Sequence, residues 1–93
     1  MGDLAGALID YDKAITLDPN HSIYYYSKGK LCASQGNLAE AVLAYDKAIE
    51  LTPDDSDTYY SRGLVRHYQG NFAAAITDYN RTIALNPYDA EVY

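Results

Sequence analysis

The side chains that most often carry out chemistry are few and widely spaced in this sequence. The two histidines, His21 and His67, do not lie at the spacing from Cys32 that a metal site or a nucleophile–base pair requires. No glycine-rich pattern that could hold a phosphate occurs. Cys32 falls at a predicted packing position between helices, where a thiol is inert. The sequence therefore predicts a protein that is not an enzyme and needs neither a metal nor another cofactor.

An acidic cluster at Asp54, Asp55 and Asp57 superficially resembles the start of a calcium loop. The glycine and the closing glutamate of that loop are missing. Carboxylates at the start of a helix interact favourably with its dipole. We interpret the cluster as part of a helix start.

The overall negative charge of the chain disfavours partners that are themselves negatively charged. The chain of 93 residues has a formal net charge of −6 and no run of basic residues. Phosphate recognition needs a positive surface, so neither nucleic acid nor an anionic membrane is an expected partner. The single cysteine allows no internal disulfide, and no secretion signal or span of ~20 apolar residues occurs. We therefore expect a cytoplasmic protein.

A single repeat period runs through the chain and determines the predicted fold. Glycine, alanine, tyrosine, aliphatic residues and proline all recur at the same interval, so the repetition is not due to chance. The recurring sets are Gly2, Gly36 and Gly70; Ala7, Ala41 and Ala75; Tyr11, Tyr45 and Tyr79; Ile15, Ile49 and Ile83; Leu17, Leu51 and Leu85; and Pro19, Pro53 and Pro87.

Each unit contains two predicted helices, and in the second of them apolar residues recur every three or four positions, as in an amphipathic α-helix. The predicted helices are Leu4–Leu17, Ser22–Gln35, Leu38–Leu51, Ser56–Gln69 and Phe72–Leu85. No segment alternates as a strand does.

Local signals set the ends and the packing of these helices. Ser22, and Ser56 or Asp57, are predicted N-caps, while Gly36 and Gly70 are predicted to end their helices in the left-handed conformation. Small residues on facing helices allow close approach. The expected close pairs are Gly29 with Ala41 and Gly63 with Ala75.

These residues resemble the tetratricopeptide repeat family, in a style similar to its bacterial members. The family signature is W-x2-L-G-x2-Y, A-x3-F and P within one helix–turn–helix unit, whose length equals the period seen here. It is matched by Tyr25-x2-Lys28-Gly29-x2-Cys32, Ala41-x3-Tyr45 and Pro53, and again by Tyr59-x2-Arg62-Gly63-x2-Arg66, Ala75-x3-Tyr79 and Pro87. The resemblance implies an all-α fold of about five helices, in which antiparallel helix pairs stack as an α-solenoid with a right-handed superhelix.

The period also divides the chain into units of a single array over residues 1–93. Residues 2–21 form the second helix of a partial repeat, 22–55 and 56–89 are full repeats, and 90–93 begin a truncated repeat. Such arrays bury their apolar faces by stacking.

Four residues depart from the family signature. Lys28 and Arg62 stand where leucine is preferred, and Cys32 and Arg66 where an aromatic residue is preferred. Long basic side chains can cover apolar surface with their stems while the charge stays in water. We expect Lys28, Arg62 and Arg66 to do so.

The resemblance implies that the first helices line a concave groove that binds a protein or peptide. The matching positions are Tyr26, Ser27, Lys30, Tyr60, Ser61, Leu64, His67 and Tyr68, with Ile23, Ala33, Ser34 and Asp57 beside them. Some family members clamp the acidic tail of a chaperone with basic and amide side chains. Of those positions Tyr26, Lys30 and Ser61 are present here and only Lys30 is basic, so this ligand is not expected.

An alternative function is structural. The end helices each leave one face without a neighbour, and these faces could pair copies of the chain as a homo-oligomer. The residues predicted to take part are Leu4, Leu8, Ile83, Tyr88, Val92 and Tyr93.

Overall fold

Five α-helices make up the described part of the chain, residues 4–86, in a computed structural model. They are α1 (Leu4–Leu17), α2 (Ser22–Ser34), α3 (Leu38–Leu51), α4 (Ser56–Tyr68) and α5 (Phe72–Leu85). The apolar spacing predicted α1, α3 and α5 with the same bounds, and α2 and α4 each end one residue earlier than predicted. No strand occurs between residues 4 and 86.

The helices pack as antiparallel pairs that stack on one another. The two most extensive contacts join α2 to α3 and α4 to α5, which are the two pairs. Between pairs, α3 packs on α4 and α1 packs on α2. The second helix α3 is therefore placed between two first helices, an arrangement that buries both of its sides.

Helix α3 forms the centre of the core because it has neighbours on both sides. Its Ala41, Ala44, Tyr45 and Ala48 are all buried. Tyr45 is 2% exposed and packs with Cys32, Ala41 and Val65 in one cluster that joins α2, α3 and α4. Burial of one large side chain contributes about 1.5–3 kcal/mol, so this cluster holds the two helix pairs together.

A repeated hydrogen bond ties each first helix to the loop before it. The Tyr25 hydroxyl donates to the Pro19 carbonyl at 2.9 Å, and the Tyr59 hydroxyl donates to the Pro53 carbonyl at 2.9 Å. Tyrosine stands here where the family signature has tryptophan, and its hydroxyl reaches a backbone acceptor that would otherwise need water.

Gly36 and Gly70 end α2 and α4 in the left-handed conformation, as predicted, each with φ of 80°. The Gly36 amide donates to the Ala33 carbonyl and the Asn37 amide to the Cys32 carbonyl, a Schellman motif. The predicted N-caps were wrong by one residue: His21 and Asp55 occupy these positions. The Asp55 carboxylate accepts from the Asp57 amide at 3.1 Å, which explains the acidic cluster.

Replacing Gly36 with alanine is expected to lower the free energy of unfolding by about 1–2 kcal/mol, because an L-residue is strained at positive φ. An added Cβ would have no other residue within 4 Å, so the loss comes from backbone strain and not from a clash with a neighbour. Asparagine tolerates this conformation better, so Gly36→Asn should cost less than Gly36→Ala. Urea unfolding followed by circular dichroism measures both variants. Equal stability of the parent chain, Gly36→Ala and Gly36→Asn would contradict the left-handed conformation assigned to Gly36.

Gly29 and Gly63 each lie against a tyrosine ring from the other helix of the same pair, and that ring is what an added Cβ would meet first. A Cβ on Gly29 would lie 2.5 Å from the ring of Tyr45, and one on Gly63 would lie 2.8 Å from the ring of Tyr79. The expected partners, Ala41 and Ala75, stand one helical turn earlier. The tyrosine ring itself fills the space over the glycine, which is why a side chain there cannot be accommodated.

Candidate functional site

An apolar depression of about 200 Å³ lies where α2, α3 and α4 meet. Its lining combines apolar side chains from all three helices with three polar groups. These residues are Lys30, Ala33, Leu38, Tyr45, Ser61, Leu64, Val65 and Tyr68. The structure thus brings together four of the predicted groove residues, Lys30, Ser61, Leu64 and Tyr68.

A second, more polar depression of about 380 Å³ lies beside it, between α1 and α2. It is lined by Tyr11, Ser27, Lys30, Leu31 and Ser34. Lys30 borders both depressions, so they form one continuous surface. We call this surface the α2–α4 groove.

Tyr26, a predicted groove residue that lines neither depression, connects the two first helices next to the groove. Its hydroxyl lies 3.4 Å from the hydroxyl of Ser61, and its ring centroid lies 5.9 Å from that of Tyr45. The ammonium of Lys30 lies 5.6 Å from the centre of the same ring. Tyr26 is therefore half-buried and in contact with both Lys30 and Ser61.

Two other predicted groove residues lie apart from the apolar depression. Tyr60 packs on Tyr79 at 5.9 Å between ring centroids, which repeats the Tyr26–Tyr45 contact one period later. His67 contacts the rings of Tyr68 and Phe72 at 5.8 and 5.2 Å. This aromatic group at the end of α4 extends the apolar surface beyond Leu64.

The floor of the depression includes residues that were not among the predicted groove positions. Tyr45, Leu38 and Val65 close its base, although each also belongs to the core or packs against it. Burial raises the pKa of Tyr45 to about 12, and hydrogen bonding with Ser61 acts in the opposite sense. The phenol is therefore neutral at physiological pH and offers a bound ligand an uncharged surface.

Cys32 is buried, as predicted for an inert thiol, with 3% of its surface exposed. Burial raises its pKa, and Lys28 offsets this only in part. The thiolate that nucleophilic chemistry needs is thus disfavoured. His21 is exposed just before α2, where its Nδ1 lies 3.2 Å from the carboxylate of Asp18.

The prediction that the departing basic residues keep their charge in water is wrong for Arg62 and Arg66. Arg62 donates from Nε and Nη2 to the Asp78 carboxylate at 3.0 and 2.7 Å, and Arg66 donates to it at 3.2 Å. Asp78 is 1% exposed, so two guanidinium groups neutralise a buried carboxylate. A buried charge needs such a partner. We call Arg62, Arg66, Asp78 and Asp46 the ion cluster.

The third ion pair of this cluster joins two neighbouring repeats, and an equivalent pair occurs one sequence period earlier. Arg62 of α4 donates to Asp46 of α3 at 2.7 Å, and Lys28 of α2 lies 2.7 Å from Asp12 of α1. Burial lowers the pKa of Arg62, but the hydrogen bonds to Asp78 and Asp46 outweigh it and raise that pKa overall. Sequence reasoning missed both pairs, although the two partners are equally far apart in the sequence in each pair.

The residues predicted for self-association are only partly within the described chain. Leu8 is half-buried against the core cluster, and Ile83 is 38% exposed on α5. Phe72 and Ile76, each 57% exposed, extend that apolar stripe along the same helix. Tyr88, Val92 and Tyr93 lie outside the described residues, and the side chain of Leu4 is not described.

Two kinds of site are missing from the portion of the chain that the structure describes. No group of three or more histidine, cysteine or acidic side chains that could hold a metal occurs within residues 4–86. Likewise, none of the helices within those residues is long and apolar enough to cross a membrane.

Sequence profiles of one family match most of the chain. Profiles described as tetratricopeptide repeat match residues 10–42 and 56–89, and one described as TPR repeat matches residues 29–70. The chain belongs to the tetratricopeptide repeat family. This is generally a non-enzymatic fold whose members bind proteins or peptides. No curated protein matches the sequence significantly.

Solved structures show the same stacked helix pairs. MamA superimposes with a TM-score of 0.89 at 25% identity over 96% of this chain and 52% of its own length. YrrB, described as a TPR protein with an unusual peptide-binding site, superimposes with a TM-score of 0.88 at 24% identity, over 96% of this chain and 46% of its own. The chain therefore spans about half the length of these proteins, and the likeness to YrrB establishes the fold alone.

Proposed function

We propose that the chain binds an extended or helical peptide segment of a partner protein in the α2–α4 groove, without catalysing a reaction. The apolar depression between α2, α3 and α4 carries this proposal. It combines an apolar floor with a few polar groups at its rim, the composition typical of specific binding sites. The rim groups are Lys30, Ser61 and Tyr68, and Tyr68 is 73% exposed.

The arrangement suits a segment of chain better than a small molecule. The depression is open and lies along the junction of two repeats, and the polar depression continues it toward α1. Tyrosine supplies large contact area at low entropic cost, and Tyr68 stands at one end of this path. A segment crossing Tyr68, Leu64 and Lys30 would contact both first helices.

The proposal predicts that peptides selected from a random phage-displayed library will depend on Leu64. Leu64→Glu should weaken binding at least about tenfold, since a charge would enter the apolar depression, a loss of about 1.4 kcal/mol. Leu43→Glu is the matched control, because Leu43 is 62% exposed on α3 and does not line the groove. Fluorescence polarisation with labelled peptides measures both variants. Failure to select any peptide, or equal losses in the two variants, would refute groove binding.

One observation supports self-assembly as a second candidate function. The exposed stripe of Phe72, Ile76 and Ile83 on α5 corresponds to Leu38, Val42 and Ile49 of α3. On α3, Leu38 and Val42 pack against the core cluster, which includes Val65 of α4. Light scattering across a hundred-fold concentration range tests this function. A mass that stays monomeric in the parent chain and in Ile76→Glu would exclude it.

A further inference from the structure

The charges of the chain are divided between first and second helices in a way that the net charge conceals. The first helices, α2 and α4, carry four basic residues and a single acidic residue, Asp57. The basic residues are Lys28, Lys30, Arg62 and Arg66. The net charge of −6 therefore arises outside the two helices that form the groove.

Three of these four basic side chains already have carboxylate partners. Lys28 pairs with Asp12, and Arg62 and Arg66 pair with Asp78. Lys30 forms no ion pair with any residue between positions 4 and 86, and its contact is the ring of Tyr26. It is also exposed. Of the groove helices, Lys30 is thus the position at which a ligand's negative charge would be matched.

Lys30 also lies between two chemically different parts of the groove. It borders the apolar depression on one side and the polar depression on the other. The apolar depression, at about 200 Å³, is smaller than the ~300–1,000 Å³ of sites that hold drug-sized ligands. It therefore has room for one apolar side chain of a peptide. An extended chain advances ~3.3–3.6 Å per residue, so a carboxylate one or two residues away comes within reach of the Lys30 ammonium.

We propose that the preferred ligand is a peptide segment in which one aliphatic side chain fills the apolar depression and an aspartate or glutamate next to it pairs with Lys30. This rests on the groove-binding function and specifies its ligand. Selectivity comes from one internal side-chain carboxylate, since no second unpaired cation lies on α2 or α4 within the described residues.

The test uses three capped hexapeptides as probes, Ac-SGLEGS-NH2 and its versions with glutamine or lysine in place of glutamate. Each is titrated into the 15N-labelled full chain, and the amide shifts of Lys30, Ser61 and Leu64 report binding. We expect the glutamate peptide to bind about threefold to fivefold more tightly than the glutamine peptide, the range of an exposed ion pair. The lysine peptide should bind most weakly.

Reversal of the charge provides the decisive comparison. Lys30→Glu should invert the order, so that the lysine peptide becomes the tightest. Lys13→Glu makes the same change in net charge on α1, outside the groove, and should leave the order unchanged; circular dichroism confirms that both variants fold. If Lys30→Glu left the order of peptide affinities unchanged, or if both variants inverted it, the proposed pairing of the ligand carboxylate with Lys30 would be overturned.

The outcomes separate this inference from the function on which it rests. Groove amides that shift equally with all three peptides would overturn the pairing with Lys30 and leave groove binding intact. Absence of any shift with every peptide would also overturn the preference for an aliphatic residue beside a carboxylate. Groove binding itself is decided by the library selection and the Leu64→Glu comparison, which assume nothing about the charge of the ligand.

Discussion

Asp78→Ala is expected to lower the free energy of unfolding by about 3–5 kcal/mol, a loss comparable to breaking other buried ion pairs. The carboxylate is 1% exposed and accepts hydrogen bonds from Arg62 and Arg66. Without this carboxylate, Arg66 loses the partner of its ion pair. Arg62, whose side chain is 16% exposed, keeps only its ion pair with Asp46. Chemical denaturation followed by circular dichroism measures the loss.

Two comparisons show whether the buried charge is responsible. Asp12→Asn breaks the solvent-exposed pair with Lys28, in which Asp12 is 57% exposed, and should cost at most about 1 kcal/mol. The triple variant Arg62→Leu, Arg66→Tyr and Asp78→Ala removes every buried charge of the ion cluster together. Replacing a buried ion pair with apolar residues is often neutral or stabilising, so this variant should recover most of the loss. A triple variant as unstable as Asp78→Ala would show that the ion cluster does not act as described.

Gly29→Ala is expected to destabilise the chain by about 2 kcal/mol, although alanine favours helices more than glycine does. The added Cβ would lie 2.5 Å from the Tyr45 ring, which is 2% exposed and has no room to move. Overpacking a core costs about 1–3 kcal/mol, and this contact belongs at the upper end. The gain in helix propensity offsets about 1 kcal/mol. Thermal and urea unfolding measure the net effect.

Gly63→Ala is the matched control one repeat later. Its Cβ would meet the ring of Tyr79 at 2.8 Å and the Cβ of the buried Asp78 at 3.1 Å, but Tyr79 is only half-buried and can shift toward solvent. We therefore expect a smaller loss than for Gly29→Ala. Combining Gly29→Ala with Tyr45→Leu should cost less than the sum of the single changes, because the smaller side chain relieves the clash. Equal losses at both glycines, or additivity with Tyr45→Leu, would contradict the steric explanation.

The helices were predictable because different sequence signals located different helices and the repeat period connected them. Apolar spacing located α1, α3 and α5, and Gly36 and Gly70 marked where α2 and α4 end. The repeat period then required the pairs to stack. When local sequence patterns and the overall architecture agree in this way, the fold can be predicted from a single sequence.

The groove was predictable only in part. The resemblance to the family implied Lys30, Ser61 and Leu64 as groove positions, and all three line the apolar depression. Its floor was not, because Tyr45 and Val65 serve the core and the groove at once. The ion cluster was missed because a basic residue at a normally apolar position was judged singly. Its partner, Asp78, comes from another helix, and only tertiary packing reveals the pair.

The ion pair between repeats makes the two units unequal as building blocks. In a tandem copy of residues 22–55, the duplicated Lys28 would again meet the carboxylate of Asp46, as Arg62 does now. In a tandem copy of residues 56–89, the duplicated Arg62 would instead face Asn80, which replaces the aspartate found at Asp12 and Asp46. The array can therefore be lengthened with matched charges only by multiplying its first unit. Charge matching across the junctions thus gives such an engineered array a preferred order, with the second unit placed last among the copies.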